Sequence, residues 1–291
     1  MSDYKLITID IDGTLLDSYG DLSIENKEAI ENAINKGVKV VLASGRMPES
    51  VRSISEEIGA TEYIIAGNGT LVYDMQKQEN IYEQNIPEDK LFRIIDICEQ
   101  NSIYYNLYTQ NAIIANSLNY NVLYYHYENS KKSEDKKTNI NIVDNIKKYI
   151  QDHNVKVLKI TICDGDKVIF DRIIRKFREI SNIEVLDVGH MSRKAIKNGT
   201  DDVNIEYYYT ENSKKNTNKW FAIEYLMNLL NLKKEQVIAI GDNINDKMMI
   251  ENAGLGISMG DSALSSMEIG DYITANNNES GVGQALNKFL N

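Results

Sequence analysis

Ile7-Thr8-Ile9-Asp10-Ile11-Asp12-Gly13-Thr14-Leu15-Leu16-Asp17, residues 7–17, is an apolar run of strand character that ends in two acids with a glycine behind them. A buried carboxylate is costly unless it is paired, protonated or bound to a metal. Two of them at the tip of a core strand mark a candidate site. Residues two apart in an extended backbone point to one side, so Asp10 and Asp12 are expected to face together. Gly13 permits the turn that must follow. Two close carboxylates repel, which raises the proton affinity of one or recruits a cation.

Outward from this stretch the chain alternates strands and helices. Tyr4–Asp10 reads as a buried strand and Ser23–Lys36 as a helix, with Ser23 as its cap and Gly37 as its stop. Residues 38–43 (VKVVLA) form a second strand, Pro48 opens the next helix, and Tyr63–Ala66 is a third strand. The same grammar returns near the C-terminus. Lys219–Leu230 is an amphipathic helix, Gln236–Ile240 a strand and Asp246–Asn252 a short helix. Leu255–Met259 and Asp271–Ala275 are further strands, and Gly283–Leu290 is a closing helix. Such alternation predicts an α/β fold: a Rossmann-like parallel sheet with helices on both faces.

The middle of the chain is rich in tyrosine, asparagine and lysine and alternates less regularly. Ile103–Tyr108 and Ala112–Asn116 read as antiparallel strands, Asn141–His153 as a helix and Val155–Cys163 as a strand. Lys167–Ile180 reads as a helix with Ile169, Ile173, Ile174 and Phe177 inward, and Ile205–Tyr209 as a last strand. The charge run Ser130–Thr138 is expected to be a solvated loop. The domain expectation is a discontinuous core of residues 1–83 and 210–291 with an α+β domain, residues 84–209, inserted between its halves.

The chain has 291 residues and a formal net charge of −11. An acidic surface disfavours nucleic acid and anionic membranes as partners. No run approaches the length of a membrane span, and the opening MSDYKLITID is not expected to act as a signal peptide. Cys98 and Cys163 form no C-x-x-C, and the expectation is reduced thiols in a cytoplasmic protein. His126, His153 and His190 show no H-x-x-x-H spacing, so a zinc site is not expected. The protein is expected to be a monomer or a weak homodimer.

Four predicted strands end alike, at Asp10, Ser44, Asn68 and Asp242. In open parallel sheets ligands bind beyond the carboxyl ends of strands, so these residues are expected to meet. The loop Gly241-Asp242-Asn243-Ile244-Asn245-Asp246 adds hard oxygen donors. Mg²⁺ takes an octahedron of oxygens with few protein carboxylates, a demand that Asp10, Asp242 and Asp246 meet. A calcium loop is excluded at both acid-rich stretches, because the glycine and the glutamate it requires are out of place.

Together these motifs resemble the haloacid dehalogenase superfamily of phosphohydrolases, in its Cof-type subgroup with a large inserted cap. Asp10–Thr14 (DIDGT) is similar to its first motif and Ala43–Arg46 (ASGR) to its second. Lys219 at a helix start is similar to the third, and residues 241–246 (GDNIND) to the fourth. The resemblance implies a Mg²⁺-dependent phosphatase acting on a small phosphorylated metabolite, a sugar phosphate or a nucleotide-like compound. It implies Asp10 as nucleophile and Asp12 as general acid and then base. Ser44 and Lys219 complete the implied catalytic set. Ser44, Gly45, Arg46, Asn68, Lys219 and Asn245 are the implied substrate contacts, and Asp10, Asp12, Asp242 and Asp246 the implied metal ligands.

Several of these residues carry a second reading. Ser44 also reads as a loop serine or helix cap, and Asp246 as a cap that orients its loop. Asn68-Gly69 is a hairpin signal as well as a substrate contact. Arg46 reads as an anion ligand or as the partner of an acid on the facing cap. Trp220 stands where the family places a glycine after its lysine, and Lys214 and Lys215 compete with Lys219. Two rival functions remain open: a sugar phosphomutase, and a non-catalytic phosphate-binding regulator.

Overall fold

The computed structural model describes residues 4–134, 137–186, 192–198 and 201–290. His190 and part of the charged run 130–138 lie outside them. The chain divides into two compact units, Met1–Glu83 with Thr217–Asn291, and Gln84–Asn216.

The first unit begins with β1 (Leu6–Ile9), α1 (Ile24–Asn35), β2 (Lys39–Ala43), α2 (Pro48–Glu57), β3 (Tyr63–Ala66), β4 (Leu71–Asp74) and β5 (Glu79–Glu83). The second unit carries α3 (Glu88–Gln100), β6 (Tyr104–Tyr108), β7 (Ile113–Ala115), α4 (Tyr120–Asn129), β8 (Ile140–Ile142), α5 (Ile146–His153), β9 (Lys159–Asp164), α6 (Lys167–Arg178), β10 (Ile183–Val185), β11 (Ser192–Asn198) and β12 (Asp201–Lys214). The chain then completes the first unit with α7 (Lys219–Leu230), β13 (Val237–Gly241), α8 (Lys247–Asn252), β14 (Leu255–Ser258), α9 (Ala263–Ser266), β15 (Tyr272–Ile273) and α10 (Gly281–Leu290).

The sheet of the first unit runs β15-β14-β13-β1-β2-β3-β4-β5. It is parallel from β15 to β3 and antiparallel through the β3–β4–β5 meander. β1 is central, flanked by β13 and β2, which explains why all four of its residues are buried; the polar one, Thr8, donates from Oγ1 to Ile238 O at 3.3 Å. Leu6, Val41 and Ile65 face the core built with Ile223 and Leu226 of α7. The alternate residues Ile7, Ile9 and Leu42 point to the other face and are equally buried. Ser23 caps α1, its Oγ accepting from Asn26 N at 3.2 Å, and Pro48 opens α2.

The sheet of the second unit runs β10-β12-β9-β6-β7-β8, with β11 paired to β12. It is antiparallel except for β7 and β8, and one face packs Ile160 and Ile162 against α3 and α6.

Three expectations for this unit need correction. Residues 210–214 belong to it, because Thr210–Ser213 continue β12 in register with β9; the insertion therefore ends at residue 216 instead of 209. Residues 141–145 are not helical. Ile140–Ile142 is a strand, and Asn145 starts the helix by accepting from Lys148 N at 2.9 Å. In α6 the buried stripe is Phe170, Ile173, Ile174 and Phe177, an i, i+3, i+4, i+7 set, while Ile169 is 44% exposed.

Candidate active site

The carboxyl ends of β1, β2, β3 and β13 gather the predicted residues. Beyond Ile9 the chain leaves the extended conformation and turns, with Leu15 N and Leu16 N donating to the Ile11 carbonyl at 3.1 and 3.0 Å. The two acids differ in burial. Asp10 is 4% exposed, its backbone held by Asp10 N donating to Ile240 O at 3.0 Å. The Asp12 side chain is 62% exposed and lies against Arg46. β1 ends at Ile9, so Asp10 and Asp12 both lie beyond the strand, one buried and one exposed.

Asp10, Asp242 and Asp246 each place one carboxylate oxygen within 4.8 Å of the others, and Asp12 is not of this group. Lys219 joins them. Its Nζ donates to Asp10 Oδ1 at 2.5 Å and to Asp246 Oδ1 at 2.6 Å, and the side chain is fully buried. The competing Lys214 donates to Gln84 in the second unit. Lys219 opens α7, whose cap Asn218 accepts from Phe221 N at 3.1 Å.

Asp246 organises its loop with the other oxygen, Oδ2 accepting from Asp242 N and Asn243 N, each at 3.1 Å. Thr14 Oγ1 donates to Asp242 Oδ1 at 2.8 Å, tying the first motif to the fourth. Two glycines make this closeness possible. A Cβ on Gly13, whose φ is +81°, would stand 2.5 Å from Asp242 Oδ2, and one on Gly241 would stand 2.6 Å from the Asp246 side chain.

Burial, followed by the nearby Asp246 charge, pushes the Asp242 carboxyl up to about 6. Burial, Asp246 and Asp242 likewise hold the Asp10 carboxyl well above the usual carboxylate range, against the pull of Lys219. Burial alone would depress the Lys219 ammonium; Asp10 and Asp246 outweigh it and raise it. Three carboxylates face one ammonium, an excess of two negative charges when all are ionised. A divalent cation with a preference for oxygen fits that deficit and that donor set.

A second cluster stands beside the first. Arg46 Nε donates to Asp12 Oδ2 at 2.8 Å and Nη2 to Asp12 Oδ1 at 2.6 Å, so Arg46 pairs within its own unit. Ser44 is buried, and its Oγ accepts from Arg46 N at 3.2 Å. Asn68 sits at φ 59° between Gly67 and Gly69, both also left-handed. Asn68 N donates to Ser44 O at 2.9 Å, and Asn245 Nδ2 donates to Asn68 Oδ1 at 3.0 Å. Gly45 lets the Asn68 amide approach to 3.0 Å of where its Cβ would be. The Asn68–Asn245 bond was not anticipated from sequence; the shared strand-end position of the two loops was its only signal.

The fold, a Rossmann-like sheet interrupted by an α+β unit, is that of a capped phosphohydrolase. A family model described as haloacid dehalogenase-like hydrolase matches residues 7–286, and the chain belongs to that family, in its Cof-type branch. The chain is 28% identical over 306 aligned residues to the phosphatase YwpJ of Bacillus subtilis, covering 98% of this chain and 100% of the relative. It is 27% identical over 289 residues to the 5-amino-6-(5-phospho-D-ribitylamino)uracil phosphatase YcsE of the same organism, covering 99% and 96%. The crystal structure of a haloacid dehalogenase-like hydrolase from Bacteroides thetaiotaomicron superposes with a TM-score of 0.78 at 25% identity, covering 98% of this chain and 99% of that one. The protein is a phosphoric monoester hydrolase. Among the described residues no helix is long and apolar enough to cross a membrane.

Proposed function

We propose that the protein is a Mg²⁺-dependent phosphatase that hydrolyses a small phosphorylated metabolite through an aspartyl-phosphate on Asp10. The observation that carries this reading is the buried Asp10 carboxylate in contact with Lys219 and beside Asp242 and Asp246. Burial keeps water off the nucleophile, and Lys219 orients its Oδ1 and offsets the charge of an arriving phosphate. In the first half-reaction the bond from Asp10 to phosphorus forms as the ester bond breaks, and Asp12 gives its proton to the leaving oxygen. In the second, water attacks phosphorus, Asp10 is released, and Asp12 takes the proton. Ser44, Asn68 and Asn245 offer hydrogen bonds at the rim of the site. Asp10 and Asp242, with Asp246 orienting the loop, are the residues that would hold Mg²⁺, which supplies charge neutralisation between nucleophile and phosphate.

Two curated relatives are named as 5-amino-6-(5-phospho-D-ribitylamino)uracil phosphatases, which puts that compound first on a substrate panel with sugar phosphates and nucleotides. The test is phosphate release from p-nitrophenyl phosphate and from this panel, with and without Mg²⁺, by the wild type and by Asp10→Asn. Metal-dependent release that Asp10→Asn abolishes is expected. Isomerised sugar phosphate without free phosphate would indicate a mutase instead.

A further inference from the structure

We propose that Arg46 is a positioning residue for Asp12: a planar fork that holds this carboxylate as the proton acceptor of the water step. The proposal rests on the reading of Asp12 as acid and base given above. Both Asp12 oxygens accept from one guanidinium, at 2.6 and 2.8 Å. The donors of a guanidinium lie in a fixed plane, so two such bonds fix the plane of the carboxylate as well as its position.

The fork is itself anchored at three points. Arg46 N donates to Ser44 Oγ at 3.2 Å, Arg46 O accepts from Gly67 N at 3.0 Å, and Nη1 donates to Ser50 Oγ in the first turns of α2 at 3.3 Å. Arg46 and Asp12 are 31% and 62% exposed. At such exposure an ion pair adds little to stability, so the geometry of the pair, not its energy, is what it offers the site.

The two half-reactions make different demands on Asp12. An aryl oxide departs as an anion and needs no proton, so the first step with an aryl phosphate proceeds without Asp12. The second step always needs it: the oxygen of water bonds to phosphorus, the bond from phosphorus to Asp10 breaks with its electrons returning to the carboxylate, and the proton of water passes to Asp12. A base for that proton must present a lone pair in a fixed direction. Loss of the fork therefore traps the aspartyl-phosphate.

Rapid-mixing turnover of p-nitrophenyl phosphate with Mg²⁺ tests this, with acid-quench detection of phosphorylated protein. Arg46→Met is expected to release its first equivalent of nitrophenolate as the wild type does and then turn over more slowly by about tenfold or more, within the reach of general-base effects. The burst is accompanied by phosphoprotein. Arg46→Lys keeps the charge and loses the plane, and is expected to show the same trapped intermediate. Full recovery in Arg46→Lys, or a first equivalent slowed as much as the steady state, overturns the proposal. Asp12→Asn separates the two levels of argument. A burst with phosphoprotein in this variant upholds the base role whatever Arg46 does, and its absence removes the reading on which the proposal stands.

Discussion

Lys219 is fully buried between two carboxylates, so its removal leaves Asp10 and Asp246 without their cation. Breaking a buried pair by deleting one partner costs about 3–5 kcal/mol. Lys219→Met is therefore expected to lower the urea midpoint of the metal-free protein by a large fraction of its stability. Lys214→Met, which removes a hydrogen bond to Gln84 at a half-buried site, is expected to shift it by about 0.5 kcal/mol or less. Equal shifts in the two variants would refute the assignment of the buried cation. Lys219 was legible in the sequence because it opens a helix in register with the GDNIND loop, and Asp10 and Asp242 because each ends a strand. The pairing of Asp12 with Arg46 was not. Gly13 announced a turn, but not that the turn, closed by bonds to the Ile11 carbonyl from Leu15 and Leu16, would lay Asp12 against Arg46.

Among the elements, the β3–β4 hairpin and the start of α7 meet at Gly69. A Cβ there would lie 2.1 Å from the backbone oxygen of Asn218, the cap of the helix that carries Lys219, and φ is +89°. Gly20 has nearly the same φ, +88°, with nothing within 4 Å. The two positions separate conformational strain from steric conflict. Gly20→Ala is expected to cost about 1–2 kcal/mol, the left-handed penalty alone. Gly69→Ala is expected to cost more and to lower kcat as well, because backbone has no side-chain rotamer through which to yield and Lys219 moves with its helix. Urea midpoints and kcat of the two variants check this; matching losses would refute it. The hairpin itself was legible as Asn-Gly between apolar runs. Much of the second unit was not. β8 and β10 are three residues long, and α4 (YNVLYYHYEN) has aromatic residues around most of its circumference, so neither period stands out.

For the molecule as a whole, a net charge of −11 and a buried acid cluster at the carboxyl ends of the strands link stability to pH. The Asp242 carboxyl is raised to about 6, and Asp10 is raised too, so the folded state keeps protons that the unfolded chain has already released. A state that binds more protons loses stability as pH rises. Between the ordinary carboxylate range and about pH 6 the metal-free protein is thus expected to become less stable with rising pH as Asp242 loses its proton, and Asp10 adds a loss of the same sign. General repulsion in an acidic protein acts in the same direction, and Asp242→Asn distinguishes the two sources because it leaves nearly all of that repulsion in place. Held by these carboxylates as proposed, Mg²⁺ would take the place of the protons; a cation that binds only the folded form adds about 2.7 kcal/mol at a hundred times its dissociation constant. The rise in Tm on adding Mg²⁺ is therefore expected to be small at pH 5, where protons compete for the carboxylates, and large at pH 7.5, and to vanish in Asp242→Asn at both. Thermal melts over this pH range, with EDTA and with Mg²⁺, decide the matter. A Mg²⁺ effect independent of pH, or one that survives in Asp242→Asn, would place the cation elsewhere and leave the buried acids to be neutralised by protons alone.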